Sequence, residues 1–302
     1  MKKVLVTGAS GFIGRHSLQG LVDRGYEVHA ATIGEPPEGI KGVRWYSVNL
    51  LEKGEGAALV GKIRPTHLLH CAWFVVPGKL ITSPENFLWV EASLELLRAF
   101  ADNGGTRVVT SGSGYEYDWR YGYCTESVTP CLPDTVYGRC KLSLGELTAS
   151  FAGSRGLSSG WARIFFLYGP HEHPDRLVSS IIRSLLRKEP ARTSHGLQVR
   201  DYLHVQDVAD GLVGLLDSAV EGPVNIASGQ PVAIREIVMQ IGTMMGAEEL
   251  LQIGALPARA NDAPFVVADV RRLTAEVGWT QRWTLQAGLE QTIEWWRTRN
   301  HY

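Results

Sequence analysis

Thr7-Gly8-Ala9-Ser10-Gly11-Phe12-Ile13-Gly14 follows a short β-branched run, Val4–Thr7, and opens a segment, Phe12–Arg24, with helical spacing of its apolar residues. Each glycine has a predicted role in such a strand–turn–helix unit. Gly8 makes the tight turn out of the strand, Gly11 lets the backbone approach a pyrophosphate, and Gly14 lets the helix pack close to the sheet. The helix start, with Phe12, Ile13 and Arg15 in its first turn, offers unpaired N–H groups and a partial positive charge to phosphates. The pattern predicts a bound dinucleotide.

The alternation continues outward from that turn. Tyr26–Thr32, Gly42–Val48, His67–Ala72, Arg107–Thr110 and Ser159–Leu167 read as strands, and Pro84–Asn103 and Thr135–Ser154 as amphipathic helices. This predicts an α/β fold: a doubly wound parallel sheet with helices on both faces, binding ligands at the carboxyl ends of its strands. Residues 1–164 and 201–220 are expected to form a dinucleotide-binding domain, with Val205–Ala219 returning to it as a helix. Residues 165–200 and 221–302 are expected to form a smaller, discontinuous α/β lobe for the substrate. Their loops, Gly169–Pro174 and Leu250–Pro264, are rich in Gly, Pro, Asn and His.

The 302 residues suit about two domains of ~150 residues. Hydrophobic residues at 44% and charged residues at 20% exclude disordered, collagen-like and coiled-coil readings. Lys+Arg 30 against Asp+Glu 31, with no basic tract, argues against a nucleic-acid partner. No apolar run approaches the ~20 residues that span a bilayer, and the run before Thr7 is too short for a secretion leader. Cys71, Cys124, Cys131 and Cys140 lack CxxC spacing and fit free thiols in a reducing compartment, so a cytoplasmic protein is expected. His171-Glu172-His173 lacks a clear third ligand, so no metal is expected.

An acidic residue ending the second strand would hold the adenine ribose of NAD. That strand ends Ala30-Ala31-Thr32-Ile33, without a carboxylate. Thr32 is placed to donate to a 2′-phosphate and Arg15 to pair with it, which favours NADP over NAD. Asn49 and Leu50, after the third strand, fall at the adenine. Cys71-Ala72-Trp73, after the fourth, line the cofactor pocket, with Trp73 as a wall or a core residue.

Tyr137 and Lys141, four apart on a predicted helix, share one face. An ammonium beside a phenol favours the phenolate, so Lys141 is expected to lower the Tyr137 pKa and to hold the nicotinamide ribose. A phenol so tuned gives or takes the proton of a sugar hydroxyl. Ser113, 24 residues before Tyr137 at a strand end, is placed to orient the substrate oxygen.

Further matching pieces are Ser111–Tyr117, Tyr137-Gly138-Arg139-Cys140-Lys141, Arg163 through Tyr168-Gly169-Pro170, Arg200 through Ala209, and Leu256-Pro257-Ala258-Arg259 through Asp262. With the glycine turn, they make essentially the whole chain resemble the extended short-chain dehydrogenase/reductases of nucleotide-sugar epimerase/dehydratase/reductase type. The resemblance implies a Rossmann fold, a catalytic Ser113, Tyr137 and Lys141, and a nucleotide-diphosphate sugar as substrate. Arg200 and Arg259 then fall at the diphosphate, and Tyr115 and Glu116, in an aromatic stretch after Ser113, cover the sugar. The resemblance also implies a homodimer built by the two long helices, with Leu88, Ala92, Leu96 and Ala99 on one face.

The departures narrow the reaction. The family's dehydratases place an Asp-Glu pair after the hydroxyl residue, where this chain has Gly114-Tyr115. Phe166 stands near the slot of the family's substrate-contacting Asn. The expected reaction is reduction of a nucleotide-linked 4-keto-6-deoxyhexose by NADPH. A 4-epimerase that retains NAD is the close alternative, and a carbonyl reductase on a non-sugar substrate the distant one.

Overall fold

Val4 and Val6 bury on one side of their strand and Leu5 on the other, as a strand covered on both faces requires. The computed structural model describes residues 2–37, 39–258 and 262–299. Its first half runs β1 (Lys3–Thr7), α1 (Phe12–Asp23), β2 (Glu27–Thr32), β3 (Val43–Ser47), α2 (Glu55–Ile63), β4 (His67–His70), α3 (Glu85–Asp102), β5 (Arg107–Ser113), β6 (Tyr123–Cys124), α4 (Val136–Arg155) and β7 (Ser158–Ile164). Then come β8 (Phe166–Tyr168), α5 (Leu177–Leu186), β9 (Ala191–Thr193), β10 (Val199–His204), α6 (Val205–Asp217), β11 (Gly222–Ile226), β12 (Pro231–Ala233), α7 (Ile234–Met245), β13 (Leu251–Ile253), β14 (Phe265–Ala268) and α8 (Leu285–Arg297).

The main sheet has seven parallel strands in the order β11-β7-β5-β4-β1-β2-β3. The order runs outward from β1 in both directions, so a crevice opens at the carboxyl ends of β1 and β4. Thr7, Thr32, His70 and Ser113 end their strands along that edge. On one face α1 and α6 bury Leu18, Leu21, Val208 and Leu212; on the other α2, α3 and α4 bury Leu59, Leu96 and Leu144. A second sheet, β12-β10-β14-β6 with β8 also on β10, accompanies α5, α7 and α8, which share a separate apolar core.

Two expected boundaries are corrected. β11, inside the span expected in the smaller lobe, pairs with β7 from Gly222–Gly160 to Ile226–Ile164 and closes the main sheet. β6, inside the span expected in the larger domain, pairs with β14. The expected strand Ser159–Leu167 is two strands. At Phe165 the backbone N–H turns to the Ile226 carbonyl at 3.2 Å, and the chain crosses from one sheet to the other. Helix α2 was not expected, because Gly56 and Gly61 dilute its helical signal.

Backbone approaches backbone closely at the glycine turn. Gly8 has φ +64°, and a Cβ there would lie 2.7 Å from the Ala72 nitrogen. A Cβ on Gly14 would strike the Gly8 carbonyl oxygen. Gly14→Ala is therefore expected to cost about 1–3 kcal/mol of stability. Gly153→Ala, in α4 with open space around it, is expected to add about 0.5–1 kcal/mol. Thermal unfolding of the two variants checks the pair; equal effects would contradict the close approach.

Candidate active site

The start of α4 fixes two of the expected residues. Thr135 caps it, its Oγ1 accepting from the Gly138 N–H at 3.0 Å. The Tyr137 N–H, which a first turn leaves unpaired, donates to the Ile81 carbonyl at 3.2 Å. Tyr137 and, one turn on, Lys141 are thereby held inward and buried. β5 delivers Ser113 to the same place. Its Oγ accepts from the Tyr115 N–H at 3.2 Å, and its side chain acts on the Tyr137 phenol, favouring the ionised form. Ser113, Tyr137 and Lys141 thus meet at the carboxyl edge of the sheet.

Burial sets the electrostatics. Lys141 Nζ donates to the Ser111 carbonyl at 2.8 Å and lies 3.6 Å from the centre of the Trp73 ring. Burial pushes its pKa down to about 7, opposed by the charge of Glu116. Burial pushes Tyr137 up to about 12, while the Ser113 hydrogen bond and the Arg176 charge pull it down. The expectation that Lys141 lowers Tyr137 is corrected here: desolvation dominates the phenol, and the ammonium faces a carbonyl and an indole.

A hydrogen-bonded chain backs these groups across three strand ends. Thr7 Oγ1 bonds His70 Nδ1 at 2.6 Å, and His70 Nε2 bonds Ser93 Oγ at 2.8 Å. Ser111 Oγ donates to the His70 carbonyl at 3.2 Å, and the Ser111 carbonyl receives Lys141. None of Thr7, His70 and Ser93 was singled out from sequence, because partners far apart in the chain leave no local signal.

On the cofactor side, α1 begins at Gly11 with no side-chain cap and no acidic residue in its first turn. Phe12 and Ile13 follow, and Cys71 and Ala72 run beside Gly8, with the Ala72 N–H on Thr7 Oγ1 at 3.4 Å. Trp73 is a buried core residue as well as a wall: its indole N–H donates to Asn86 Oδ1 at 2.9 Å and its ring lies 6.4 Å from that of Tyr137. The residues expected at the 2′-phosphate and the adenine have partners within the protein. The Thr32 hydroxyl, buried, is shared with Ser10 Oγ at 2.5 Å and the Ile33 carbonyl at 3.2 Å. The Arg15 guanidinium is bonded to His171 Nδ1. Asn49 closes its own turn, accepting from the Leu51 N–H at 3.1 Å, and Leu50 is buried under α2 and α3.

On the substrate side, Tyr115 packs on Trp119 at 4.4 Å and edge-on to Tyr137 at 5.8 Å. Trp119, Phe166 and Tyr202 continue this aromatic wall, and Arg200 lies over Phe166 at 5.4 Å. Arg200 pairs with Asp262 at 2.6 Å. Arg259 lies outside the described residues. Glu116, expected to cover the sugar, has instead a fully buried carboxylate bonded to Arg163. Arg176, at the start of α5, was missed from sequence although its charge acts on Tyr137 and Tyr202.

His171, Glu172 and His173 diverge, toward Arg15, Ser179 and Asp175 respectively. Among the described residues no three His, Cys, Asp or Glu groups converge on a point, and no helix is long and apolar enough to cross a membrane. The four thiols are free.

Residues 4–227 match the model of the NAD dependent epimerase/dehydratase family, and the chain belongs to that family. It is similar to MoeE5, solved with UDP-glucose and NAD and with UDP-glucuronic acid and NAD, at 32% identity and a TM-score of 0.84, over 98% of this chain and 99% of that one. It is similar to a Thermus thermophilus UDP-glucose 4-epimerase solved with NAD, at 27% identity and a TM-score of 0.87, over 98% and 99%. The CDP-abequose synthase of Salmonella typhimurium is 26% identical over 96% of this chain and 97% of its own.

The buried His70 carries a pH signature. Burial, then the Lys141 charge, pushes its pKa down to about 3. Between there and the ordinary ~6.5 the unfolded chain binds a proton that the folded one refuses, so stability falls as pH falls through that window. His70→Asn is expected to remove roughly 2–3 kcal/mol of the loss between pH 7 and 4.5. Denaturant unfolding at the two pH values checks this; an unchanged acid loss would contradict it.

Proposed function

We propose that this chain interconverts nucleotide-diphosphate hexoses at C4 with retained NAD, and that a hexuronate is its first candidate substrate. The observation that carries the reading is the meeting of buried Ser113, Tyr137 and Lys141 at the end of β5, where the Ser113 side chain favours the Tyr137 phenolate, a group suited to a carbinol proton. A dinucleotide fits the turn, where backbone contact at Gly8 and Gly14 leaves the uncapped start of α1 facing the crevice. The backbone from Gly8 through Gly11, Phe12, Ile13 and Gly14 would hold its phosphates, and Trp73 and Lys141 its nicotinamide end. NAD bound there supplies the hydride acceptor and donor. Tyr137 takes the proton of the C4 hydroxyl and later returns it. Ser113 holds the same oxygen, and the Ser113 side chain and the Arg176 charge favour the phenolate.

Several observations choose among the family's reactions. The Thr32 hydroxyl, which a 2′-phosphate would need, is engaged by Ser10 and the Ile33 carbonyl, and Arg15 Nη1 by His171, which favours NAD over NADP. With NADPH disfavoured, the ketoreductase expected from sequence falls behind the epimerase. Gly114-Tyr115 and an enclosed Glu116 supply no acid–base pair for dehydration. Arg176 supports an acidic sugar, because its charge reaches the Tyr137 phenol, and MoeE5 has been seen with UDP-glucuronic acid. Reduction of a 4-keto sugar is the second reading, favoured by the likeness to CDP-abequose synthase. A homodimer through α3 and α4 belongs to the same proposal, supported by the exposed Phe87, Leu88 and Leu147; Leu96, expected there, lies in the protein's own core.

The test is incubation with UDP-glucuronic acid or UDP-glucose, with products resolved by NMR. The expected result is C4 isomerisation without net cofactor turnover, lost by about 100-fold or more in Tyr137→Phe. Arg176→Ala is expected to raise KM for the uronate about tenfold and leave the KM for UDP-glucose unchanged, the loss of one charge-assisted pair. Stoichiometric NADPH oxidation by a 4-keto hexose, without isomerisation, would overturn the epimerase in favour of the reductase.

A further inference from the structure

Glu116 sits three residues beyond Ser113 with no exposed surface. Its Oε1 accepts from the Ser113 N–H at 2.7 Å and from Trp161 Nε1 at 2.9 Å. Its Oε2 accepts from Arg163 Nε at 2.7 Å and from Trp161 Nε1 at 3.0 Å. Arg163 is itself buried, and its guanidinium lies over the Tyr117 ring at 4.5 Å. The indole reaches the carboxylate because position 112 has no side chain: a Cβ on Gly112 would strike Trp161 Nε1 and lie 2.7 Å from Glu116 Oε1. In return the Ser113 Oγ accepts from the Tyr115 N–H, so backbone and side chain of Ser113 are both held by this one short turn.

A buried ion pair is a poor stabiliser, since well-packed apolar groups of the same volume do as well. What it adds is a fixed geometry for the groups bonded to it. The group bonded to Glu116 on the side of the crevice is the amide of the residue whose hydroxyl meets Tyr137. We propose that Glu116 is a positioning residue: anchored by Arg163 and Trp161, it fixes the Ser113 backbone and thereby aims the Ser113 hydroxyl at Tyr137 and the substrate oxygen. A misplacement of about 1 Å at such a group costs on the order of 100-fold in rate, so a carboxylate clamped on three sides has a use that an apolar plug lacks. The turnover part of this inference rests on the function proposed above; the part about Ser113 does not.

Two readouts separate them. Glu116→Leu combined with Arg163→Met removes both charges at similar volume and leaves no uncompensated ion. In this double variant, hydrogen exchange of the peptide spanning residues 111–117 is expected to rise at least tenfold while that of β1 stays unchanged. Turnover is expected to fall about tenfold or more, with KM and NAD affinity within about threefold. On a Ser113→Ala background the same double change is expected to cost less than about threefold, because it acts through a hydroxyl already removed. Should the double variant fail to fold, Glu116→Gln is read in the same cycle. Unchanged exchange at 111–117 in a folded variant, or a full loss repeated on the Ser113→Ala background, would overturn the inference. If the wild type turns over no nucleotide sugar, the function proposed above fails, and the exchange result still decides whether Glu116 holds Ser113.

Discussion

Backbone contact between the start of α1 and the end of β1 is the constraint on which the rest of this structure depends. Gly8 and Gly14 have no Cβ to hold the helix off, and Ala72 closes on the same turn from β4. That contact brings the carboxyl ends of β1, β4 and β5 into register, Thr7 opposite His70 and His70 opposite Thr110. Across those ends runs one line of hydrogen bonds, from Thr7 through His70 and Ser111 to Lys141. The glycine turn and Lys141 are therefore two ends of one connected polar network inside an apolar sheet.

The electrostatics of the site follow from that enclosure. Tyr137 and Lys141 are both pushed toward their neutral forms by burial, the phenol up and the ammonium down. Fixed groups work against this: Ser113 and Arg176 on the phenol, Glu116 on the ammonium. A protein that kept only the Tyr–Lys spacing would hold two neutral groups. Ser113 and Arg176 favour the phenolate, whereas Glu116 raises the pKa of both groups and so favours the ammonium and the neutral phenol.

Legibility in the sequence tracked the distance between partners. The glycine turn, the strand–helix alternation and the Tyr137–Lys141 spacing are local, and each is present in the structure where it was expected. Ser113 was found because strand ends are local too. Most of the assignments that changed involved long-range partners, Asn49 in its own turn being an exception. Nothing near Thr32 announces Ser10, nothing near Arg15 announces His171, and Glu116 looks like a solvated loop carboxylate until Arg163 is brought beside it. The same holds for β11, whose short β-branched run reads as part of a small lobe until it is laid beside β7. The preference for NADP came from a missing carboxylate on β2, which is local; the reason against it came from two hydrogen bonds that are not.

Retention of NAD links the glycine turn, the spent 2′-phosphate donors and the epimerase reading. It is tested most directly by denaturing the purified protein and identifying the dinucleotide released. The predicted result is NAD in near-stoichiometric amount, with added NADP failing to displace it. Release of NADP, or an empty protein that binds NADPH more tightly than NADH, would contradict it.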